Sequence, residues 1–115
     1  MFVPESSVNR GIEFIPYPQE LEAIAAWKRQ QLSQLLTSYF QCSEASVKRD
    51  LADIKSMVEA GEILPEDCPI ATGNRRNFWL PVEAVRFAWY YRQVIQYYGN
   101  REAAKQYIIK NGVPL

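Results

Sequence analysis

Leu36-Thr37-Ser38-Tyr39-Phe40-Gln41-Cys42-Ser43-Glu44-Ala45-Ser46-Val47-Lys48-Arg49-Asp50-Leu51 is the stretch on which the reading of this chain turns. An apolar-spaced helix runs out at Phe40, and Ser43, a strong helix-capping residue, follows after a very short turn. The helix that Ser43 opens has its apolar stripe at Val47, Leu51, Ile54 and Val58, the spacing of one helix face, and Gly61 suits the position just past its end. The stretch therefore predicts two helices joined by a tight turn, the second of them capped.

Upstream, Gln19 to Phe40 holds no glycine or proline, and Leu21, Ile24, Ala25, Leu32, Leu35, Leu36 and Tyr39 recur at helical spacing. This predicts helix over 19–40, either as one rod or as two short helices broken near Gln30 and Gln31. Residues 1–18 carry Pro4, Pro16 and Pro18 around a short apolar alternation at Ile12, Phe14 and Ile15, and read as an extended N-terminal arm. Downstream, Gly73-Asn74-Arg75-Arg76 lies between the short apolar segments 69–71 and 78–80, which predicts a β-hairpin with a basic tip. Pro81 stands where a helix-starting proline belongs, and residues 82–98 run helical to a stop at Gly99. Phe87, Trp89, Tyr90, Tyr91, Tyr97 and Tyr98 make this the most aromatic part of the chain; such stripes form core first and a dimer seam with what is left over. Asn100 caps a last amphipathic helix, with Ala103, Ala104, Tyr107 and Ile108 inward, ending at Gly112.

Composition limits what such a chain can do. With 115 residues and 48% hydrophobic content it buries a real core as one domain. Thirteen basic residues balance thirteen acidic ones, so any attraction to nucleic acid is local, not global. Histidine is absent, and Cys42 and Cys68 alone do not make a metal site; they read as reduced thiols of a cytoplasmic protein. No glycine-rich phosphate loop and no nucleophile setting is present, and Glu66-Asp67 reads as a surface loop, so neither an enzyme nor a cofactor is expected. No apolar run is long enough to cross a bilayer.

Residues 36–51 resemble the helix-turn-helix of DeoR-type transcription regulators. Leu36, Phe40, Ser43, Glu44, Ala45, Arg49, Asp50 and Leu51 match the family pattern outright, and Ser46, Val47 and Lys48 are conservative replacements. The departure is Gln41, where the family has a glycine with a positive backbone angle; a side chain there costs on the order of 1 kcal/mol. Residues 72–99 resemble the wing and following helix of MerR-type regulators and small excisionases. Past Gly99 neither resemblance covers the chain, and no effector domain is evident.

These resemblances imply a mainly α fold: a winged helix-turn-helix over 19–115, with a small β-hairpin wing and additional C-terminal helices, behind the arm 1–18. They imply binding to double-stranded DNA as a small transcription regulator, most simply a repressor, acting as a homodimer. The implied DNA-binding residues are Ser43, Glu44, Ser46, Lys48 and Arg49 on the second helix, with Arg75 and Arg76 at the wing gripping phosphates or entering the adjacent minor groove. Lys48 and Arg49 suit guanine edges, and serine suits bases or phosphates. Lys28 and Arg29 add phosphate contacts from the first helix. The rival expectation is a winged-helix protein-interaction module in a larger assembly, favoured by zero net charge. The two readings part on whether positive charge is concentrated around Lys48 and Arg49 or interrupted by Glu44, Asp50 and Glu62.

Overall fold

Trp27 decides how the chain enters its first helix. The computed structural model describes residues 12–63 and 79–114, and in it Gln19–Ala23 form a short 3-10 helix, Ala26–Lys28 form strand β1, and helix α1 begins only at Arg29 and ends at Phe40. The helix expected over 19–40 is thus corrected: nearly its first half, 19–28, is not α-helical. Trp27 is the one buried residue between Glu22 and Gln31, and the chain is held extended there by pairing with a second strand that sets Trp27 opposite the buried Leu80. Helix α1 then starts where Gln31 reaches back to accept the Lys28 backbone N–H at 2.8 Å.

Strand β1 pairs antiparallel with β2, Trp79–Pro81, with Trp27 opposite Leu80. Both of these side chains are buried, so the pair closes one side of the core. The rest of the expected hairpin, including its Gly73-Asn74-Arg75-Arg76 tip, lies outside the described residues, as do Cys68 and arm residues 1–11.

Helix α2, Glu44–Glu59, is capped by Ser43, whose hydroxyl accepts the Ser46 N–H at 3.1 Å. The turn before it contains Gln41 at φ 53°, ψ 42°, the left-handed conformation in which a glycine is at ease. Its N–H donates to the Thr37 carbonyl at 3.1 Å, and Gln96 donates to the Phe40 carbonyl at 2.8 Å, so the turn is held from both sides. Gln41→Gly relieves the steric cost of that conformation but adds freedom to the unfolded chain. The expected net result is a gain of about 0.5–1 kcal/mol in a urea melt; a loss would mean that the Gln41 side chain itself holds the turn.

Helix α3, Val82–Tyr98, stops at Gly99 (φ 66°), and α4, Arg101–Asn111, is capped by Asn100, which accepts the Ala103 N–H at 3.0 Å. From Ala84 to Ile95 every residue of α3 except Arg86 is buried, because α1, α2, α4 and the sheet all pack around it. Trp89 is its centre, meeting the rings of Phe40 at 4.8 Å, Tyr39 at 4.9 Å and Tyr17 at 5.7 Å, mostly edge to face. Residues 12–18 lie along α3 without regular structure. Their backbone is satisfied by α3 side chains instead of a strand partner: Trp89 and Gln93 both donate to the Ile15 carbonyl, Gln93 accepts the Ile15 N–H, and the Tyr90 hydroxyl accepts the Tyr17 N–H. The described residues are thus mainly helical, with one small antiparallel sheet.

Candidate nucleic-acid interface

Helix α2 has three edges, and its residues sort onto them by helical spacing. Val47, Leu51, Ile54 and Met57 face the core. Met57 takes the deepest place at the end of this stripe, and Val58, expected there, is only half-buried.

The second edge, toward α3 and α4, is polar. Asp50 is fully buried there, its carboxylate held by Arg92 (Nε to Oδ2 2.9 Å, Nη2 to Oδ1 3.1 Å) and by Arg101 (Nη2 to Oδ1 3.0 Å). Asp53 accepts from Arg101 at 2.7 Å and from the Tyr91 hydroxyl at 2.9 Å, with the Lys105 ammonium 3.7 Å away. Burial pushes the Asp50 carboxyl up to about 6, against the pull of Arg92 and Arg101. Burial also raises the Tyr91 phenol, and Asp53 beside it adds to the rise. Asp50, one of the three acidic residues expected to decide whether the charge around Lys48 and Arg49 is interrupted, is thus inside the protein and faces Arg92 and Arg101 of the other helices.

The third edge faces outward and carries Lys48, Arg49, Ala52 and Lys55, all exposed. Among the described residues no ion pair engages Lys48, Arg49 or Lys55. Glu44 and Glu59 are exposed on this same face, four residues before Lys48 and four after Lys55, and Glu62 lies just beyond the helix, so the three basic side chains sit between acidic ones at the two ends. Of the residues proposed from sequence, Ser43, Glu44, Lys48 and Arg49 come together on the first two turns of α2. Ser46 is half-buried beside them, its hydroxyl accepting from Ser43 at 3.1 Å and its carbonyl accepting from Arg101 at 3.3 Å. Lys28 and Arg29 are exposed at the start of α1. Arg75 and Arg76 lie outside the described residues.

Sequence reasoning missed Lys55, although its spacing of seven from Lys48 puts both on one face. It also missed the Asp50–Arg92 pair. The signal was available: Asp50 falls inside the apolar spacing of Val47, Leu51 and Ile54, and Arg92 falls inside the aromatic helix, so each needed a buried partner of opposite sign.

Among the described residues no group of His, Cys, Asp and Glu side chains is placed to hold a metal, and no helix is long and apolar enough to cross a membrane. Cys42 is half-buried, its thiol 3.7 Å from the Leu36 carbonyl. Comparison with protein-family models, with curated proteins and with solved structures finds no match to this chain.

Proposed function

We propose that this chain is a sequence-specific double-stranded DNA-binding protein of the winged helix-turn-helix kind, most simply a small transcription regulator, a repressor, acting as a homodimer. Helix α2 is the element that enters the major groove. The observation that carries this reading is the sorting of charge on α2: Asp50 is turned inward onto Arg92 and Arg101, and Lys48, Arg49 and Lys55 are left outward and unpaired among the described residues. A balanced chain thereby presents a local basic face, which is what duplex binding needs. The tight capped turn between α1 and α2 supports the helix-turn-helix reading, and the return of the chain as β2 alongside β1 supports the winged form.

On this reading Arg49 and Lys48 contact base edges, with guanine the preferred partner, while Lys55 and the wing arginines Arg75 and Arg76 contact phosphates. The test is selection and sequencing from a pool of random duplexes at two salt concentrations, with Arg49→Ala in parallel. The expected outcome is an enriched motif with two-fold symmetry, on which Arg49→Ala binds more weakly by roughly 1–3 kcal/mol and loses base preference at one position. No enrichment, with residual binding abolished at moderate salt, would sink the proposal.

One observation favours a second reading, a protein-interaction module. Tyr97 and Tyr98 are exposed at the end of α3, their rings 5.0 Å apart, and Tyr98 is 6.0 Å from Tyr107 of α4. Aromatic side chains grouped at a surface suit a protein partner. Failure of the selection experiment would move attention to this group.

A further inference from the structure

Arg101, the first residue of α4, spans the whole polar edge of α2. Its Nη2 lies 3.3 Å from the Ser46 carbonyl and 3.0 Å from Asp50 Oδ1, and its Nη1 lies 2.7 Å from Asp53 Oδ2. Ser46, Asp50 and Asp53 are spaced i, i+4 and i+7, so one guanidinium ties together two turns, about 10 Å, of the proposed recognition helix. Among the described residues no other side chain joins all three. Arg92 reaches Asp50 from α3, and Lys105 reaches Asp53.

The geometry points to Arg101 as a positioning residue that fixes the roll of α2 about its own axis and so aims Lys48, Arg49 and Lys55. The apolar stripe of α2 holds the helix down, but hydrophobic burial is non-directional and tolerates a few degrees of roll with little loss. A planar guanidinium fork is directional and does not. A roll of only about 5° moves a lysine or arginine head group, about 10 Å from the helix axis, by about 1 Å, twice the tolerance of roughly 0.5 Å within which a polar constellation stays productive. Helix α4 is itself seated by Ala104 and Ile108, so removing the Arg101 head group leaves α4 in place; Arg92 still holds Asp50 and Tyr91 still holds Asp53, but the Ser46 end of the edge is released and the three positions are no longer tied to one another. The consequence for base reading rests on the DNA-binding role of α2; the mechanical role does not.

The test compares the full chain with Arg101→Ala and Arg101→Lys, using Lys105→Ala as a control that leaves Ser46 and Asp50 held. Native-state hydrogen exchange is measured first, without DNA. The expected result is exchange about tenfold faster at amides 48–54 in Arg101→Ala, with amides 91–95 of α3 changed less than twofold and Lys105→Ala behaving as wild type. Unchanged exchange in α2, or an equal acceleration across α2 and α3, overturns the inference, since the second pattern is that of a general stabiliser. Should Arg101→Ala fail to fold, Arg101→Lys decides: lysine keeps the charge but not the fork, so exchange as slow as wild type overturns the inference.

The second readout is binding to the duplex that the wild type enriches and to random duplex. Arg101→Ala is expected to lower specific affinity about tenfold, with affinity for random duplex and the salt slope unchanged, because the phosphate-contacting charges are all still present. An enriched wild-type motif that Arg101→Ala binds equally well overturns the positioning role and leaves the DNA reading standing. If the wild type enriches nothing, the DNA reading fails, and the exchange data alone decide whether Arg101 sets the roll of α2.

Discussion

Replacing Trp89 with alanine is expected to cost roughly 3–5 kcal/mol of folding stability, read as a lower midpoint in urea at an unchanged slope. Trp89 has no exposed surface, and the rings of Tyr17, from the segment along α3, and of Tyr39 and Phe40, from the end of α1, close on it. Truncation leaves a cavity that these rings fill only in part, because two of the three are tied elsewhere: Tyr17 by its backbone to Tyr90, and Phe40 by its carbonyl to Gln96. Since domains of this size are stable by only about 5–15 kcal/mol, the variant sits near the edge of folding. Trp89→Phe separates packing from hydrogen bonding. It keeps most of the ring volume and removes the donor to the Ile15 carbonyl, but Gln93 still donates to that oxygen at 3.0 Å, so no acceptor is stranded. A cost below about 2 kcal/mol is expected for it. A loss under 1 kcal/mol in Trp89→Ala would show that α3 is not the centre of the core.

The same residues show what was legible beforehand. Capping chemistry is local, so Ser43, Gly99, Asn100 and Gly112 marked their helix ends as the structure has them. Gln41 is the sharpest case: the helix-turn-helix resemblance implied a positive backbone angle at that position, and the residue adopts one without being glycine. The entry to α1 was not legible, because Ile24, Ala25 and Leu32 fit a helical period while the burial of Trp27 against Leu80 depends on a strand distant in sequence. On α2, the outward placement of Lys48 and Arg49 was legible from helical spacing. What was not legible is what their acidic neighbours meet: helical spacing sets Asp50 and Asp53 off the outer face, but the partners, Arg92 and Arg101, come from α3 and α4, distant in sequence. Charge sorting of this kind is tertiary, and a sequence count of zero net charge hides it.

Asp50→Ala is expected to destabilise the fold by about 3–5 kcal/mol, because it leaves Arg92, at 5% exposure, without the carboxyl oxygens that accept from it. Arg101 keeps Asp53, so the damage falls on the α2 to α3 contact. Asp50→Leu combined with Arg92→Met removes both buried charges and keeps the volume, and should recover most of the loss in a urea melt. A double variant no better than Asp50→Ala would mean that the pair contributes stability beyond mutual neutralisation. The pH dependence follows from the direction of the Asp50 shift. Its carboxyl is raised in the folded protein to about 6, from 3.8, with burial the leading cause and Arg92 and Arg101 opposing it. The folded state therefore binds the proton more tightly than the unfolded state, and the stability linked to Asp50 is full below pH 3.8 and is lost as pH rises through 6. Acidifying from pH 7.5 to pH 5 should raise wild-type stability by on the order of 1 kcal/mol, a trend that Asp50→Asn abolishes. Stability falling over that interval in the wild type, with the same slope in Asp50→Asn, would show that the two arginines, not burial, govern the carboxylate. The buried pair would then be a permanent anchor holding the basic face of α2 outward at every pH in the range.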